Sequence, residues 1–243
     1  STAVWSTQRK RRHFTKPTES KPSLLTFNEV TTLFHEFGHA LHGMSSECTY
    51  PSVSGTSVFW DFVELPSQIL ENWCYEKDAL DFFARHYQTK EMIPDEEIEK
   101  IVKSQQFLEG YNTMRQLSFG YLDMGWHTLS EEKDTDVFEF EKEVLEKTAL
   151  MPKVEGTSTS CQFSHIFKGG YSSGYYSYKW AEVLDADAFE KFKEEGVFNP
   201  QVAQSFYDNV LSKGGSEHPS ILYERFRGRA PKVDALLKRA GLL

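Results

Sequence analysis

Residues 33–44 read LFHEFGHALHGM, and this stretch determines most of what the sequence predicts about fold and function. Its apolar residues recur at three- and four-residue spacing, which is typical of a helix with one buried face. Upstream, Thr26 lies three residues before Glu29, the order expected of a capping box, and no proline interrupts residues 23–50. The sequence therefore predicts an amphipathic helix over about residues 27–44.

Reactive side chains lie together on one turn of this predicted helix. His35 and His39 are four residues apart, so both imidazoles leave the same face and can hold one tetrahedral Zn²⁺. Glu36 can reach a water molecule at the same ion. Gly38 costs about 1 kcal/mol relative to alanine, which is tolerated where something must pass close to the helix backbone. The alternative is a surface helix that carries three histidines by chance, and His42 is interpreted as a surface residue.

A third ligand is expected from a second helix within residues 58–75, VFWDFVELPSQILENWCY. Pro66 places Glu64 close to the start of that helix or to a kink. A carboxylate among so many apolar residues needs a partner, and a metal ion is one possibility, while an ordinary exposed glutamate is the other. Asp61 and Glu71 are candidates to accept hydrogen bonds from the ligating histidines, although either could be a solvated acid.

The two stretches together resemble the thimet oligopeptidase and peptidyl-dipeptidase family of zinc metallopeptidases, closest to its bacterial peptidyl-dipeptidase branch. In that family the third ligand is a glutamate in a D-F-x-E-x-P-S segment, 25 residues after the second histidine, and Glu64 stands at that distance from His39. The resemblance continues through residues 163–183 and 226–231, and it covers the chain from about Phe14 to the end. It implies one Zn²⁺ per chain, with Glu36 as the general base.

Residues 163–183, FSHIFKGGYSSGYYSYKWAEV, carry a second candidate group. The adjacent Gly169 and Gly170 form a flexible loop whose backbone can approach a substrate closely. Tyrosines follow at four- and three-residue spacing, so a helix would align them on one face. A core aromatic stripe is the alternative for an arbitrary protein. Four residues of this block match family residues that line the active-site cleft and bind substrate or its tetrahedral intermediate. They are His165, Tyr171, Tyr175 and Tyr178.

Composition limits the classes of function. The chain has 243 residues, a net charge of −9 and a pI near 5.4, so a nucleic-acid surface is not expected. No apolar run has the length of a membrane helix, and no signal-peptide pattern opens the chain. Three scattered cysteines argue against a disulfide framework and favour a reducing compartment such as the cytoplasm.

Helix signals dominate the chain, and we find no repeat and no second domain. The predicted fold class is mainly α, a multi-helix zincin-like (gluzincin) catalytic half with little or no β-structure. Residues 14–243 form the predicted zinc peptidase domain. Residues 1–13 are basic, do not resemble the family and are interpreted as a disordered segment.

The resembling proteins are far longer, so the sequence is interpreted as a carboxy-terminal catalytic portion that needs an amino-terminal half to complete its substrate channel. The expected function is release of carboxy-terminal dipeptides from short peptides, with Lys168 and Lys179 as candidate partners of the free carboxylate. The alternatives are an endo-acting oligopeptidase and a zinc-binding module without catalysis. One departure is Trp60, since many relatives carry an arginine four residues before the glutamate ligand.

Overall fold

The structure is a computed structural model that describes residues 14–131 and 136–243. The atypical segment predicted at residues 1–13 lies outside the described residues. The expected mainly α architecture is confirmed, since the described part of the chain has a single isolated β-bridge, between Arg85 and Met92. Among the described residues, we find no helix with the length and apolar character needed to span a membrane.

Eleven α-helices follow one another along the described chain. Their bounds are α1 Phe27–Met44, α2 Leu65–Glu71, α3 Lys77–Phe83, α4 Asp95–Gln105, α5 Glu109–His127, α6 Val137–Leu145, α7 Thr159–Gln162, α8 Ser177–Glu195, α9 Pro200–Phe206, α10 Pro219–Arg227 and α11 Asp234–Arg239. Short 3₁₀ turns lie between them at Pro51–Val53, Trp60–Phe62, Asn72–Tyr75, Glu146–Thr148 and Ser164–Ile166, and a π-helical turn at Tyr207–Leu211 follows α9.

Helix α1 begins and ends where the sequence predicts. The hydroxyl of Thr26 accepts a hydrogen bond from the backbone N–H of Glu29, and the carboxylate of Glu29 accepts one from the N–H of Thr26, which completes the capping box. The predicted apolar face is only partly covered, because Leu33 and Phe37 are 45% and 52% exposed. Burial of that face therefore contributes less to the stability of this helix than its pattern suggests.

Helices α1 and α2 cross in direct backbone contact. A Cβ atom added to Gly38 would lie 2.2 Å from the carbonyl oxygen of Pro66 and 2.6 Å from the Cα of Ser67. The prediction that something passes close to Gly38 is confirmed, and the passing element is the first turn of α2. Gly38 precedes His39, and Pro66 follows Glu64 by two residues, so the closest approach of the two helices lies beside the predicted ligands.

Two hydrophobic clusters hold the elements around the predicted site residues. The larger one packs α2 against α8, α9 and α10, and its buried members include Phe62, Leu65, Ile69, Leu184, Phe189, Phe192, Val202, Phe206, Tyr223 and Phe226. A smaller one packs α5 against residues 163–178 around Leu122, Ile166 and Tyr175. The first cluster holds α2 in place just after Glu64, and the second holds the aromatic residues within 163–178.

Candidate active site

The crossing of α1 and α2 brings the three predicted ligands together. The Nε2 atoms of His35 and His39 lie 3.3 and 3.1 Å from the same Oε2 atom of Glu64. One ligand atom from each residue lies within 4.8 Å of the other two. Two imidazole nitrogens and one carboxylate oxygen are a donor set that suits Zn²⁺, so these residues, here called the candidate metal site, fit the predicted ion.

Glu64 is the most buried member of the candidate metal site, with 4% of its surface exposed. It occupies the N-cap position of α2, and the hydroxyl of Ser67 donates to its Oε2 at 2.9 Å. Burial opposes ionisation of this carboxyl, but the hydrogen bonds with His35 and His39 outweigh it and hold the pKa of Glu64 well below its usual value. The carboxylate is therefore charged and available to a cation.

A second carboxylate orients His35. Its Nδ1 atom lies 2.7 Å from Oε1 of Glu71, and because a carboxylate only accepts hydrogen bonds, Nδ1 carries a hydrogen and Nε2 faces Glu64. Burial lowers the pKa of His35, but the hydrogen bonds with Glu64 and Glu71 outweigh it and raise the pKa to about 9. Asp61, the other predicted acceptor, is placed differently, since it accepts a hydrogen bond from the hydroxyl of Tyr176 at 3.0 Å.

Four aromatic side chains, here called the tyrosine cluster, form one block: His165, Tyr171, Tyr175 and Tyr178. The rings of Tyr171 and Tyr178 stack with centroids 5.3 Å apart, and the ring of His165 lies 4.5 Å from that of Tyr171. The Tyr178 hydroxyl is 3.4 Å from Nε2 of His165. Helix α8 begins only at Ser177, so turns rather than one helix face bring Tyr171 and Tyr175 to the block.

The tyrosine cluster lies within electrostatic reach of the metal site. Burial raises the pKa of Tyr178 far above its usual value, and the neighbouring Tyr171 and the negative charge of Glu64 add to the rise. Burial likewise raises the pKa of Tyr171, and the negative charges of Glu64 and Glu36 raise it further. A hydrogen bond from Tyr178 partly opposes this rise. Both phenols therefore stay protonated and can act as neutral hydrogen-bond donors beside these carboxylates.

Comparison with known sequences decides the family. The pattern of peptidase family M3 matches residues 12–242. The chain belongs to this family. It is 47% identical over 233 residues to Oligopeptidase A of Haemophilus influenzae, covering 95% of this chain and 34% of that protein. It is 40% identical over 233 residues to Dipeptidyl carboxypeptidase of Escherichia coli, with the same two shares.

Membership of family M3 confirms the resemblance drawn from the two motifs around His35 and Glu64. Oligopeptidase A of Escherichia coli is a further relative, 47% identical over 232 residues. The chain spans about a third of the length of the curated relatives it matches, 34% for each of these three. The relatives carry names for two modes of peptide cleavage, and family membership alone does not choose between them.

The glycine pair of the family block adopts the conformation that requires glycine. Gly169 and Gly170 have φ angles of 77° and 87°, in the left-handed region. Lys179, one of the two lysines considered for a substrate carboxylate, lies 2.5 Å from the carboxylate of Glu182 and is mostly buried. Lys168 is exposed and directly precedes the glycine pair, so it is the better placed of the two lysines for a ligand from solvent.

Tyr175 lies deeper than the other tyrosines of the cluster. Its side chain is buried in the second hydrophobic cluster, and its hydroxyl donates to Oε1 of Gln116 at 3.0 Å. Ring packing with Tyr178 at 5.3 Å explains why the block needs an aromatic residue here. Its position makes Tyr175 a support behind the cluster, whereas the half-buried Tyr171 and Tyr178 are accessible to a ligand.

Asp123 is a site residue that sequence reasoning missed. It is fully buried in α5, and its carboxylate accepts hydrogen bonds from the backbone N–H groups of Ser173 and Tyr175, each at 2.9 Å. Nδ1 of His127 lies 2.8 Å from the same carboxylate. The signal in the sequence was an aspartate next to Leu122 on the apolar face of a helix. A charge buried there needs hydrogen-bond partners.

His42 corrects a second expectation. It was interpreted as a surface histidine, but it is completely buried, and neither ring nitrogen has a hydrogen-bond partner among the described residues. Burial, assisted by the charge of His39, lowers the pKa of His42 to about 4. This imidazole is therefore neutral under ordinary conditions and fills space beneath the helix instead of meeting solvent.

Proposed function

We propose that this chain is the metal-bearing catalytic portion of a zinc peptidase that hydrolyses peptide bonds in short peptides. One observation carries the proposal: the Nε2 atoms of His35 and His39 meet the same oxygen of Glu64, with Glu36 on the same turn of helix. A site of two histidines and one glutamate suits a catalytic zinc ion, because it leaves a fourth position open. Membership of peptidase family M3 supports the same class of reaction.

The chain's own residues divide the chemistry between them. When bound, zinc supplies a Lewis acid that makes a water molecule more acidic and polarises a peptide carbonyl. Glu36 accepts the proton of the attacking water and later donates it to the leaving amine. Glu71 accepts the Nδ1 hydrogen of His35, which leaves Nε2 as the nitrogen that can bind a cation once it has lost its own proton.

The tyrosine cluster completes the proposed reaction on the other side of the substrate. Tyr178, held protonated by its raised pKa, donates a hydrogen bond to the oxygen that becomes negative during attack. His165, whose Nε2 lies 3.4 Å from that hydroxyl, orients it and contacts the substrate. Tyr171 and the backbone of Gly169 and Gly170 line the path of the bound peptide.

The mode of cleavage has two candidates. The motifs around residues 58–75 and 163–178 favour release of carboxy-terminal dipeptides, and a relative named Dipeptidyl carboxypeptidase is 40% identical. Internal cleavage is favoured by the higher identity, 47%, to relatives named Oligopeptidase A. Because the chain spans a third of these relatives, we propose that an amino-terminal portion completes the substrate channel. The cytoplasm stays the expected compartment, on the evidence of the scattered cysteines.

A quenched fluorescent peptide of eight or so residues tests the reaction, with zinc content measured in parallel. Replacing Glu36 by glutamine should leave one zinc per chain but lower the rate by about a hundredfold or more, the usual contribution of a general base. Glu224→Gln is the matched control, because this exposed glutamate of α10 is far along the chain and should have no effect. A chain that binds zinc equally well and is indifferent to Glu36→Gln is a zinc-binding module without catalysis.

Mass spectrometry separates the two modes of cleavage. An unblocked nonapeptide and the same peptide with an amidated carboxy end are digested, and the first products are identified. Dipeptide release requires recognition of the free carboxylate, so amidation should abolish it. Internal cleavage at the same bond in both peptides identifies the endo-acting mode.

A further inference from the structure

Trp60 lies beside the candidate active site, and the proposed reaction does not use it. It opens the short turn Trp60–Phe62, four residues before Glu64, and is 41% exposed. Its indole meets the ring of Tyr171 edge-on, with centroids 4.9 Å apart. Tyr171 in turn stacks on Tyr178, so three rings form one continuous row that ends at the proposed oxyanion donor.

The same indole also lies against the backbone of residues 167–176, here called the tyrosine loop. A Cβ atom added to Gly174 would lie 2.8 Å from Cδ1 and 3.0 Å from Nε1 of Trp60, and one added to Gly170 would lie 3.5 Å from its six-membered ring. Gly174 does not have a left-handed φ, so lack of space, not conformation, requires glycine there. The neighbouring Asp61 accepts a hydrogen bond from the hydroxyl of Tyr176. The turn Trp60–Phe62 therefore meets the loop at Gly170, Tyr171, Gly174 and Tyr176.

We infer that Trp60 is a positioning residue that holds the tyrosine loop in the conformation in which Tyr171 and Tyr178 face the metal site. The loop needs such a support, because Gly169 and Gly170 gain conformational freedom easily and Ser173 is held at a positive φ angle that residues with a Cβ disfavour. An indole provides a large rigid surface with only two side-chain torsions, so little conformational entropy is lost when the loop rests on it. The effect on the loop is independent of the proposed function, whereas the effect on peptide hydrolysis rests on it.

Hydrogen exchange of the tyrosine loop is the first test. In Trp60→Ala, amide exchange within residues 167–176 should rise by about tenfold or more, while helices α1 and α8 keep their protection. Trp60→Phe keeps an aromatic face and should restore most of the protection. Phe59→Ala is the matched control, because this adjacent ring is 55% exposed and faces His218 instead of the loop. Unchanged loop exchange in Trp60→Ala would overturn the inference.

A double-variant cycle is the second test. Gly174→Ala should speed loop exchange in the wild-type chain, because its methyl group displaces the indole. In the Trp60→Ala background the same change should add less than about a twofold effect, since the two residues no longer meet. An equal effect of Gly174→Ala in both backgrounds would show that the indole does not hold this backbone, and the inference would fail.

Kinetics extend the test to the proposed reaction. With zinc content unchanged, Trp60→Ala should lower kcat/KM by about tenfold, mostly through a lower kcat because Tyr178 acts on the developing oxyanion, and Trp60→Phe should recover it. If the chain cleaves no peptide but shows the predicted exchange pattern, the proposed function is wrong and the role of Trp60 stands. A chain that cleaves peptides normally in Trp60→Ala, with normal exchange, retains the function and rejects the role.

Discussion

The candidate metal site and the tyrosine cluster are held together by different kinds of contact. The metal site lies where two helices cross so closely that Gly38 touches the backbone at Pro66. The tyrosine cluster is carried by turns, and the carboxylate of Asp123 and the indole of Trp60 hold those turns from two sides. The first is specified by local helix rules, and the second by partners 50 or more positions away along the chain.

The metal site is the rigid side of this comparison, and the largest predicted effect disrupts it. Gly38→Ala should destabilise the fold by about 3 kcal/mol, because the added methyl group meets backbone atoms that cannot turn aside. The two helices would separate at the point where His39 and Glu64 meet, so zinc retention should fall as well. Denaturant unfolding and metal analysis after dialysis measure the two losses.

The control for this variant has the opposite expected sign. Gly120 lies inside α5, and a Cβ atom there would have its nearest neighbour, the Cα of Tyr176, 4.0 Å away. Gly120→Ala should therefore stabilise the chain by up to about 1 kcal/mol through helix propensity alone. If Gly38→Ala stabilised the chain in the same way, the helices could not be in backbone contact.

Glu71→Gln tests whether the rigid side also needs its outer carboxylate. Loss of the charged acceptor at Nδ1 of His35 should weaken zinc binding by about 10- to 100-fold while the fold persists. Competition with a fluorescent chelator measures the affinity. Asp61→Asn is the matched comparison, since Asp61 contacts Tyr176 and should leave zinc affinity unchanged. Equal weakening in both variants would contradict the distinct placement of the two acids.

Asp123→Asn weakens the other side of the comparison. An amide has one acceptor oxygen, so Ser173 or Tyr175 would lose its backbone hydrogen bond, at a cost of about 1–3 kcal/mol. Peptide hydrolysis should fall while zinc content is unchanged, because the change reaches the cluster and not the metal site. Loss of zinc together with activity would show that the two regions are not held independently.

The sequence predicted the rigid side closely because its signals are local. The capping box at Thr26 and Glu29 gives the start of α1, and the spacing of His35 and His39 gives their shared face. Pro66 indicated a helix start or a kink near Glu64, and the structure has a helix start there. The residues themselves offered Glu64 either as a third ligand or as an exposed glutamate, and the resemblance to a family favoured the ligand.

The other side could not be predicted in the same way. Regular spacing suggested one helix face for Tyr171, Tyr175 and Tyr178, but α8 begins only at Ser177. Here tertiary contacts of distant residues override a local period, and a single sequence does not reveal those contacts.

A pH experiment separates the two regions with the smallest perturbation. Glu141 is buried in α6 and receives hydrogen bonds from Lys153, Ser158 and Thr159, ahead of the tyrosine loop. Burial raises its pKa, but hydrogen bonds from Lys153, Ser160 and Ser158 outweigh burial and lower it from 4.5 to about 2. Its contribution to stability is therefore complete above pH 4.5 and is lost as the pH falls from 4.5 towards 2.

Hydrogen exchange at decreasing pH measures this effect. Protection of residues 158–160 should decline in acid before that of α1, after correction for the intrinsic pH dependence of exchange. In Glu141→Gln the carboxylate is absent, so this added acid sensitivity should disappear. Parallel loss of protection in both regions and in both variants would mean that Glu141 does not hold this segment.

The contact at Gly38 also limits how the enzyme can be made heat-resistant. Replacing helix glycines by alanine is a routine way to raise a melting temperature, and at residue 38 it should do the reverse. Screens for thermal tolerance should thus recover substitutions on the exposed faces of α4, α5 and α10, and leave this one residue untouched. Its invariance in such an experiment would record steric exclusion and not catalysis.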